Sequence, residues 1–167
     1  MGASMYKLAE QGNLEGVRSM INRGVDVNKV DHYGNSALMS AGRWGRESVV
    51  LLLLAKGALI NAQNNFGYTA LMEAARFGQF DMVVLLINNG AGINGYIQND
   101  RLTAIQLCPV AAKSMKMYLI KCAAKETERA AKAADLTNAE KNENMTDRKS
   151  TRLNSSHQCL SRMPSSA

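Results

Sequence analysis

The sequence has few of the residues on which secreted and metal-binding proteins depend. Only 5% of its 167 residues are aromatic, and it contains two prolines and three cysteines. The cysteines are irregularly spaced, so they form neither a disulfide framework nor a paired metal-binding motif. Leucine, alanine, valine, methionine and glycine dominate instead, which favours packed helices punctuated by glycine.

Long hydrophobic runs are also missing. The longest, residues 49–55, is far shorter than the roughly 20 residues that a membrane-spanning helix needs. The chain does not open with a basic segment followed by an apolar stretch, so we expect no signal peptide. We therefore expect no membrane association and an intracellular protein, cytoplasmic with a nuclear location left open.

The last segment resembles a cloning artefact more than natural protein. DRKSTRLNSSH at 147–157 and SRMPSSA at 161–167 match, in one reading frame, two translated blocks of a common sequencing-library adapter around a variable barcode. A natural basic, serine-rich tail is the alternative. We leave residues 147–167 out of the fold as a non-native, disordered tail, with the native C-terminus beyond about Thr146 left open. Their four basic residues and one acidic residue account for half of the formal net charge of +6, which leaves +3.

Residues recur along the chain at a fixed step of 33 positions. The step relates Gly12 to Gly45 and Gly78, Gly24 to Gly57 and Gly90, Asn28 to Asn61 and Asn94, Gly34 to Gly67, and Ser36 to Thr69. Five columns in one register indicate a repeat protein. In such proteins no unit buries its apolar face alone, and about three or more stacked units are needed for stability.

The two best-matched units are DHYGNSALMSAGRWGRESVVLLLLAKGALINAQ, residues 31–63, and NNFGYTALMEAARFGQFDMVVLLINNGAGINGY, residues 64–96. Both resemble the ankyrin repeat, although Met39 and Met72 stand where that family usually has histidine. The resemblance covers about residues 4–122 and implies an all-α solenoid of stacked helix-turn-helix units joined by β-hairpin-like loops. We place the units at about 4–30, 31–63, 64–97 and 98–122. A solvated helical extension at 123–146 follows and frays into disorder.

The local chemistry of each unit supports this assignment. Ser36 and Thr69 are predicted to cap the first helices, and the glycines that follow, Gly45 and Gly78, to end them. Pro109 is predicted to interrupt the first helix of the last unit. Helical spacing predicts the buried positions of the second helices. These are Val49, Val50, Leu52 and Leu53 in one unit and Met82, Val83, Leu85 and Leu86 in the next.

Two features that suggest chemistry have simpler interpretations. A Gly-x-Gly-x-x-Gly pattern at 90–95 is preceded by a predicted helix, whereas a dinucleotide site needs a strand before it and a helix after it. His32 is the only histidine outside the tail, and Cys108 lies in another unit. Cys108 and Cys122 are predicted to be small buried apolar residues. We therefore expect no enzyme, no catalytic residue, no cofactor, no metal and no small-molecule substrate.

The resemblance implies that a partner meets the hairpin tips and the exposed side of the first helices, which form a concave face. The steps Arg43-Trp44 and Arg76-Phe77 recur one unit apart there, and such residue types dominate interface energies. Packing between repeats is the alternative for Trp44 and Phe77. The predicted partner-binding residues are Tyr33, Asn35, Arg43, Trp44, Arg46, Phe66, Tyr68, Arg76, Phe77 and Gln79.

We expect a monomeric, non-catalytic adaptor or scaffold module that binds an acidic or aromatic-bearing segment of another protein. Two alternatives stay open. In the first alternative, the repeats are the ankyrin portion of a larger, truncated signalling protein or enzyme. In the second, they bind nucleic acid. Arg43, Arg46 and Arg76 suggest nucleic acid, but the corrected net charge of +3 makes that reading weaker.

Overall fold

Helices account for almost all regular structure in the computed structural model, which describes residues 4–94 and 103–134. They are α1 (Met5–Gln11), α2 (Leu14–Asn22), α3 (Ala37–Arg43), α4 (Glu47–Ala55), α5 (Ala70–Arg76), α6 (Phe80–Asn88) and α7 (Ala104–Leu107). Residues 113–134 form a further helix, α8. An isolated antiparallel bridge joins Val30 to Ser36. The predicted all-α repeat class is confirmed.

The chain divides into two compact units, Met1–Ala123 and Ala124–Ala167. In the second unit residues 124–134 are helical, and all of them except Glu126 are exposed. The predicted fraying and the adapter-like tail lie outside the described residues. So does the predicted boundary between the third and fourth repeats.

Within the first unit the helices pair along the chain, and the first helices of the repeats pack on one another in the order α1, α3, α5 and α7. Small residues at the contact allow this close approach. A Cβ added at Gly42 would lie 3.1 Å from the carbonyl oxygen of Ala70 in the next repeat. Ala41, Ala74 and Ala75 are fully buried at the same interfaces. Helix α7 ends at Leu107, before Pro109.

The predicted helix signals act where expected. The hydroxyl oxygens of Ser36 and Thr69 each accept the backbone N–H of the residue three positions on, at 3.3 Å. Gly45 follows α3 with φ of 65°, a left-handed conformation that a side chain would strain. These caps hold α3 and α5 to seven residues each, so the next helix starts at a fixed place.

The second helices bury one face each, slightly narrower than predicted. Val49, Val50 and Leu53 are at most 1% exposed, as are the equivalent Met82, Val83 and Leu86. Leu52 and Leu85 were also predicted to be buried, but both are only partly buried against the core. Each lies three residues after a buried residue, so its side chain points about 60° away from that residue around the helix axis, towards the flank of the helix.

The repeated asparagine column joins successive loops. Asn28 Oδ1 accepts the N–H of Leu59 at 2.9 Å, and its Nδ2 donates to the carbonyl of Gly57 at 3.3 Å. One repeat later, Asn61 Oδ1 accepts the N–H of Gly92 at 2.8 Å. The asparagine is therefore repeated because its amide satisfies backbone groups that the neighbouring loop leaves unpaired.

Replacing Asn28 or Asn61 by alanine is expected to lower the free energy of unfolding by about 1 kcal/mol, because a loop N–H then loses its acceptor. Urea unfolding followed by far-UV circular dichroism measures the change. Asn22→Ala is the control, since the exposed Asn22 side chain makes no hydrogen bond within the described residues. An equal loss in the control would contradict the role of the column.

Candidate protein-binding site

The hairpin tips of the second and third repeats are rigid because one side chain organises each of them. Asp31 Oδ1 accepts two backbone N–H groups of its own tip, at 2.9 and 2.8 Å. Asn64 Oδ1 does the same in the next repeat, at 3.0 and 2.9 Å. These turns hold the aromatic residues of the tips outward, so that Tyr33 and Phe66 are 51% and 55% exposed.

A chain of amide hydrogen bonds connects the two tips. Asn64 Nδ2 donates to Asn35 Oδ1 at 2.8 Å, and Asn35 Nδ2 donates to Asp31 Oδ2 at 3.1 Å. The N–H of Asn65 donates to the carbonyl of Tyr33 at 3.0 Å. The side-chain amide of Asn35, a predicted partner-binding residue, therefore makes its hydrogen bonds within the protein.

The same network holds Asp31 in its ionised form. Burial alone would raise the pKa of Asp31, but the hydrogen bonds from the backbone and side chain of Asn35 and from the backbone of Tyr33 outweigh it. His32 adds a smaller favourable charge interaction, and the pKa of Asp31 lies below its ordinary value. The tip of the second repeat thus carries a fixed negative charge.

Two adjoining cavities lie between the tips and the first helices, and we call them together the groove. The N-terminal pocket, of about 250 Å³, is lined by Tyr6, Glu10, Asp31, Tyr33, Asn35, Met39, Ser40, Arg43, Trp44 and Glu73. The central pocket, of about 460 Å³, is lined by Tyr33, Asn35, Arg43, Asn64, Phe66, Tyr68, Glu73 and Arg76. They share four residues, so the groove is continuous across the first three repeats.

An ion pair between neighbouring repeats forms the floor of the groove. Arg43 Nε lies 3.0 Å from Glu73 Oε2, and the Glu73 side chain is only 4% exposed. The guanidinium carbon of Arg43 lies 4.7 Å from the ring centroid of Phe77. Glu73 was not among the residues predicted from the sequence. Its signal there is a lone carboxylate among Ala, Leu and Met in the first helix of a repeat, one turn before Arg76.

The second arginine of the groove is held by aromatic rings alone. The guanidinium carbon of Arg76 lies 5.4 Å from the ring centroid of Tyr68 and 5.7 Å from that of Phe77. Arg76 makes no ion pair within the described residues. It therefore offers a positive charge whose donors are available to a partner.

Trp44 and Phe77 are not packed in the core. They are 47% and 45% exposed, and the guanidinium groups of both arginines lie near the Phe77 ring. No cation or aromatic ring is stacked on Trp44 within the described part of the chain. Of the ten predicted partner-binding residues, seven line the groove and Phe77 lies against its arginines.

The other two predicted residues, Arg46 and Gln79, lie outside the groove and join successive repeats. Arg46 Nε donates to the carbonyl of Glu10 at 3.0 Å, and Gln79 Nε2 donates to the carbonyl of Arg43 at 3.4 Å. Both acceptors belong to the last turn of a first helix, whose carbonyls have no partner within the helix. Their side chains therefore satisfy helix ends of the preceding repeat.

Other groups with reactive potential are placed apart. His32 lies on an exposed tip with its ring 3.9 Å from that of Tyr33. Cys108 is buried and donates to the carbonyl of Ala104 at 3.3 Å, and burial raises the pKa of its thiol despite the nearby Lys116. Over residues 4–94 and 103–134 no group of three His, Cys, Asp or Glu side chains is arranged to hold a metal ion. No helix in these ranges is long and apolar enough to cross a membrane.

Comparison with known families agrees with this architecture. A family model described as ankyrin repeats (many copies) matches residues 5–54 and again residues 38–87. The overlapping matches run from α1 almost to the end of α6, and the chain belongs to the ankyrin-repeat family. Ankyrin repeats are generally protein–protein interaction modules and are typically non-catalytic. No curated protein matches the chain.

The stability of the chain is expected to depend on Asp31 in a defined pH range. Because its folded pKa lies below the ordinary value of 3.8, the stabilisation is present above about pH 4 and is lost as the pH falls through the folded pKa. Asp31→Asn should therefore be less stable than the wild type at pH 7, and the difference should shrink below about pH 4. Urea midpoints measured across this range test the effect, which a constant difference would contradict.

Arg43→Met is expected to lower the free energy of unfolding by about 1–2 kcal/mol, because it leaves the buried Glu73 carboxylate without its cation. The estimate is below that for a fully buried pair, since 40% of the Arg43 side chain is exposed. The double variant Arg43→Met/Glu73→Gln should recover at least half of the loss in chemical denaturation. Arg18→Met, which breaks an exposed pair with Glu15, serves as the control and should change stability little.

Proposed function

We propose that the chain is an adaptor module that holds a segment of another protein in the groove without making or breaking a covalent bond. The observation that carries this proposal is a continuous groove whose lining includes seven residues that the fold does not need for its apolar core. Tyr33, Trp44 and Phe66 stand along it with about half of their surface exposed. Large aromatic side chains in this setting supply most of the binding energy at protein interfaces.

The rigidity of the groove supports the same proposal. The amide chain through Asn35 fixes the tips, and the Arg43–Glu73 pair fixes the floor. Side chains that are already ordered lose little conformational entropy when a partner binds, so more of the contact energy appears as affinity.

The charge pattern favours a protein segment over nucleic acid. Three carboxylates, from Glu10, Asp31 and Glu73, face two guanidinium groups, from Arg43 and Arg76, along the groove. A polyphosphate backbone would meet more negative than positive charge there, whereas nucleic-acid binding depends on neutralising phosphates. We also propose that the protein is intracellular and monomeric.

Replacing two exposed aromatic residues of the groove, in the variant Trp44→Ala/Phe66→Ala, should abolish capture of the partner. Affinity capture with the full chain, after cross-linking in cells, compares the proteins retained by the wild type and by the variant. Circular dichroism should show both to be equally folded, because neither ring is part of the buried core.

Leu59→Ala/Phe80→Ala is the matched control. It removes two side chains that are 62% and 39% exposed but lie outside the groove. Partners retained by this control and lost from the groove variant support the proposal. Identical sets of captured proteins from all three chains would show that the groove is not the binding surface.

A further inference from the structure

The chain itself contains a binding site for a guanidinium group. The guanidinium of Arg43 lies between two elements of the third repeat, the carboxylate of Glu73 at 3.0 Å and the ring of Phe77 at 4.7 Å. The carboxylate supplies charge and the aromatic face supplies a cation–π contact. This is a complete recognition site for an arginine, filled by a residue of the preceding repeat.

One repeat earlier the aromatic half of this site is present and the arginine is missing. The step of 33 residues relates Phe77 to Trp44 and Arg43 to Glu10. The position that would supply the cation therefore carries a carboxylate. No cation is stacked on Trp44 within the described residues, and its ring is 47% exposed. Tryptophan gives the strongest cation–π contact of the three aromatic side chains.

The N-terminal pocket provides space and charge at this place. Its volume of about 250 Å³ is below the roughly 300–1,000 Å³ of small-molecule sites and suits a single side chain. Its walls include three aromatic rings, from Tyr6, Tyr33 and Trp44, and three carboxylates, from Glu10, Asp31 and Glu73.

The buried Glu73 carboxylate at the floor of the groove has one oxygen that can accept a further hydrogen bond. Glu73 bonds Arg43 through Oε2, while its Oε1 has no hydrogen-bond partner among residues 4–94 and 103–134. Glu73 lines both pockets of the groove, so this oxygen can accept a hydrogen bond from a donor that enters there.

The charges already present do not fill the pocket. Arg43 is neutralised by Glu73. Lys7 contacts Glu10 at 3.3 Å, but its side chain is 54% exposed and it does not line the pocket. An exposed pair of this kind is weak, so a partner can displace it.

We propose that the N-terminal pocket binds an arginine side chain of the partner segment, stacked on Trp44 and paired with the carboxylate of Glu10. This inference rests on the proposed function and adds the chemistry of one partner residue. Arginine is favoured over lysine because its planar group both stacks on a ring and donates to several carboxylate oxygens.

The test starts from a random dodecamer peptide library displayed on phage and selected on the immobilised full chain. Selected peptides are synthesised with the enriched position as Arg, Lys, Gln or Glu, and binding is measured by peptide fluorescence anisotropy. Arginine should be enriched at one position, and its replacement by Gln should weaken binding about tenfold. Trp44 is the only tryptophan, so the arginine peptide should also alter the tryptophan emission more than the Gln peptide does.

Variants of the chain locate the contact. Glu10→Gln should weaken the arginine peptide about fivefold to tenfold and leave the Gln peptide unchanged. Glu15→Gln is the matched control, because it removes the same charge from an exposed ion pair on α2, away from the groove. Glu10→Arg places a cation at the position equivalent to Arg43, so it should fill the site and remove the preference for arginine.

The outcomes separate this inference from the proposed function. Peptides whose binding depends on Phe66 and Tyr68, but which show no preference for a basic residue, would overturn the arginine site and leave the groove intact. Equal effects of Glu10→Gln and Glu15→Gln on binding would have the same meaning. Selection that yields no peptide dependent on groove residues would overturn both.

Discussion

Close contact between the first helices of neighbouring repeats is the constraint on which the rest of the structure depends. No repeat buries its apolar residues alone, and the core forms only because α1, α3, α5 and α7 pack in series. The contact leaves little room for a side chain at Gly42, where a Cβ would lie 3.1 Å from a carbonyl oxygen. Once this spacing is set, hydrogen bonds between repeats become possible at the tips, in the loops and at the helix ends.

The groove is a product of the same packing. Arg43 reaches across the helix interface to Glu73, and the tips come close enough for Asn64 to donate to Asn35. Residues that stabilise one repeat against the next therefore also hold the exposed aromatic side chains in place. Binding and stability are linked in this fold, because a change in the polar contacts of the groove alters both its shape and the attachment of one repeat to another.

Much of the fold could be predicted from the sequence because its signals are local. Caps such as Ser36 act on backbone groups three residues away, and these distances follow from helix geometry alone. The partner of Arg43 could not be predicted in the same way, because it depends on the sideways offset between two helices, which the repeat step does not give. For the same reason Arg46 and Gln79 were grouped with the partner-binding residues, although they contact carbonyls of the preceding repeat.

These two hydrogen bonds form a series that stops before the last repeat. Arg46 and Gln79 occupy one position of successive units, whereas the fourth unit is offset by one residue, since α7 begins 34 positions after α5 and not 33. Among residues 4–94 and 103–134 the carbonyl of Arg76 accepts no side-chain hydrogen bond from the fourth repeat, and a Cβ added at Gly78 would lie 3.9 Å from Pro109. The interfaces are therefore unequal, and in a linear array the weakest one opens first. We therefore expect unfolding to start at the C-terminal end of the array, where α7 separates while the repeats that form the groove remain assembled.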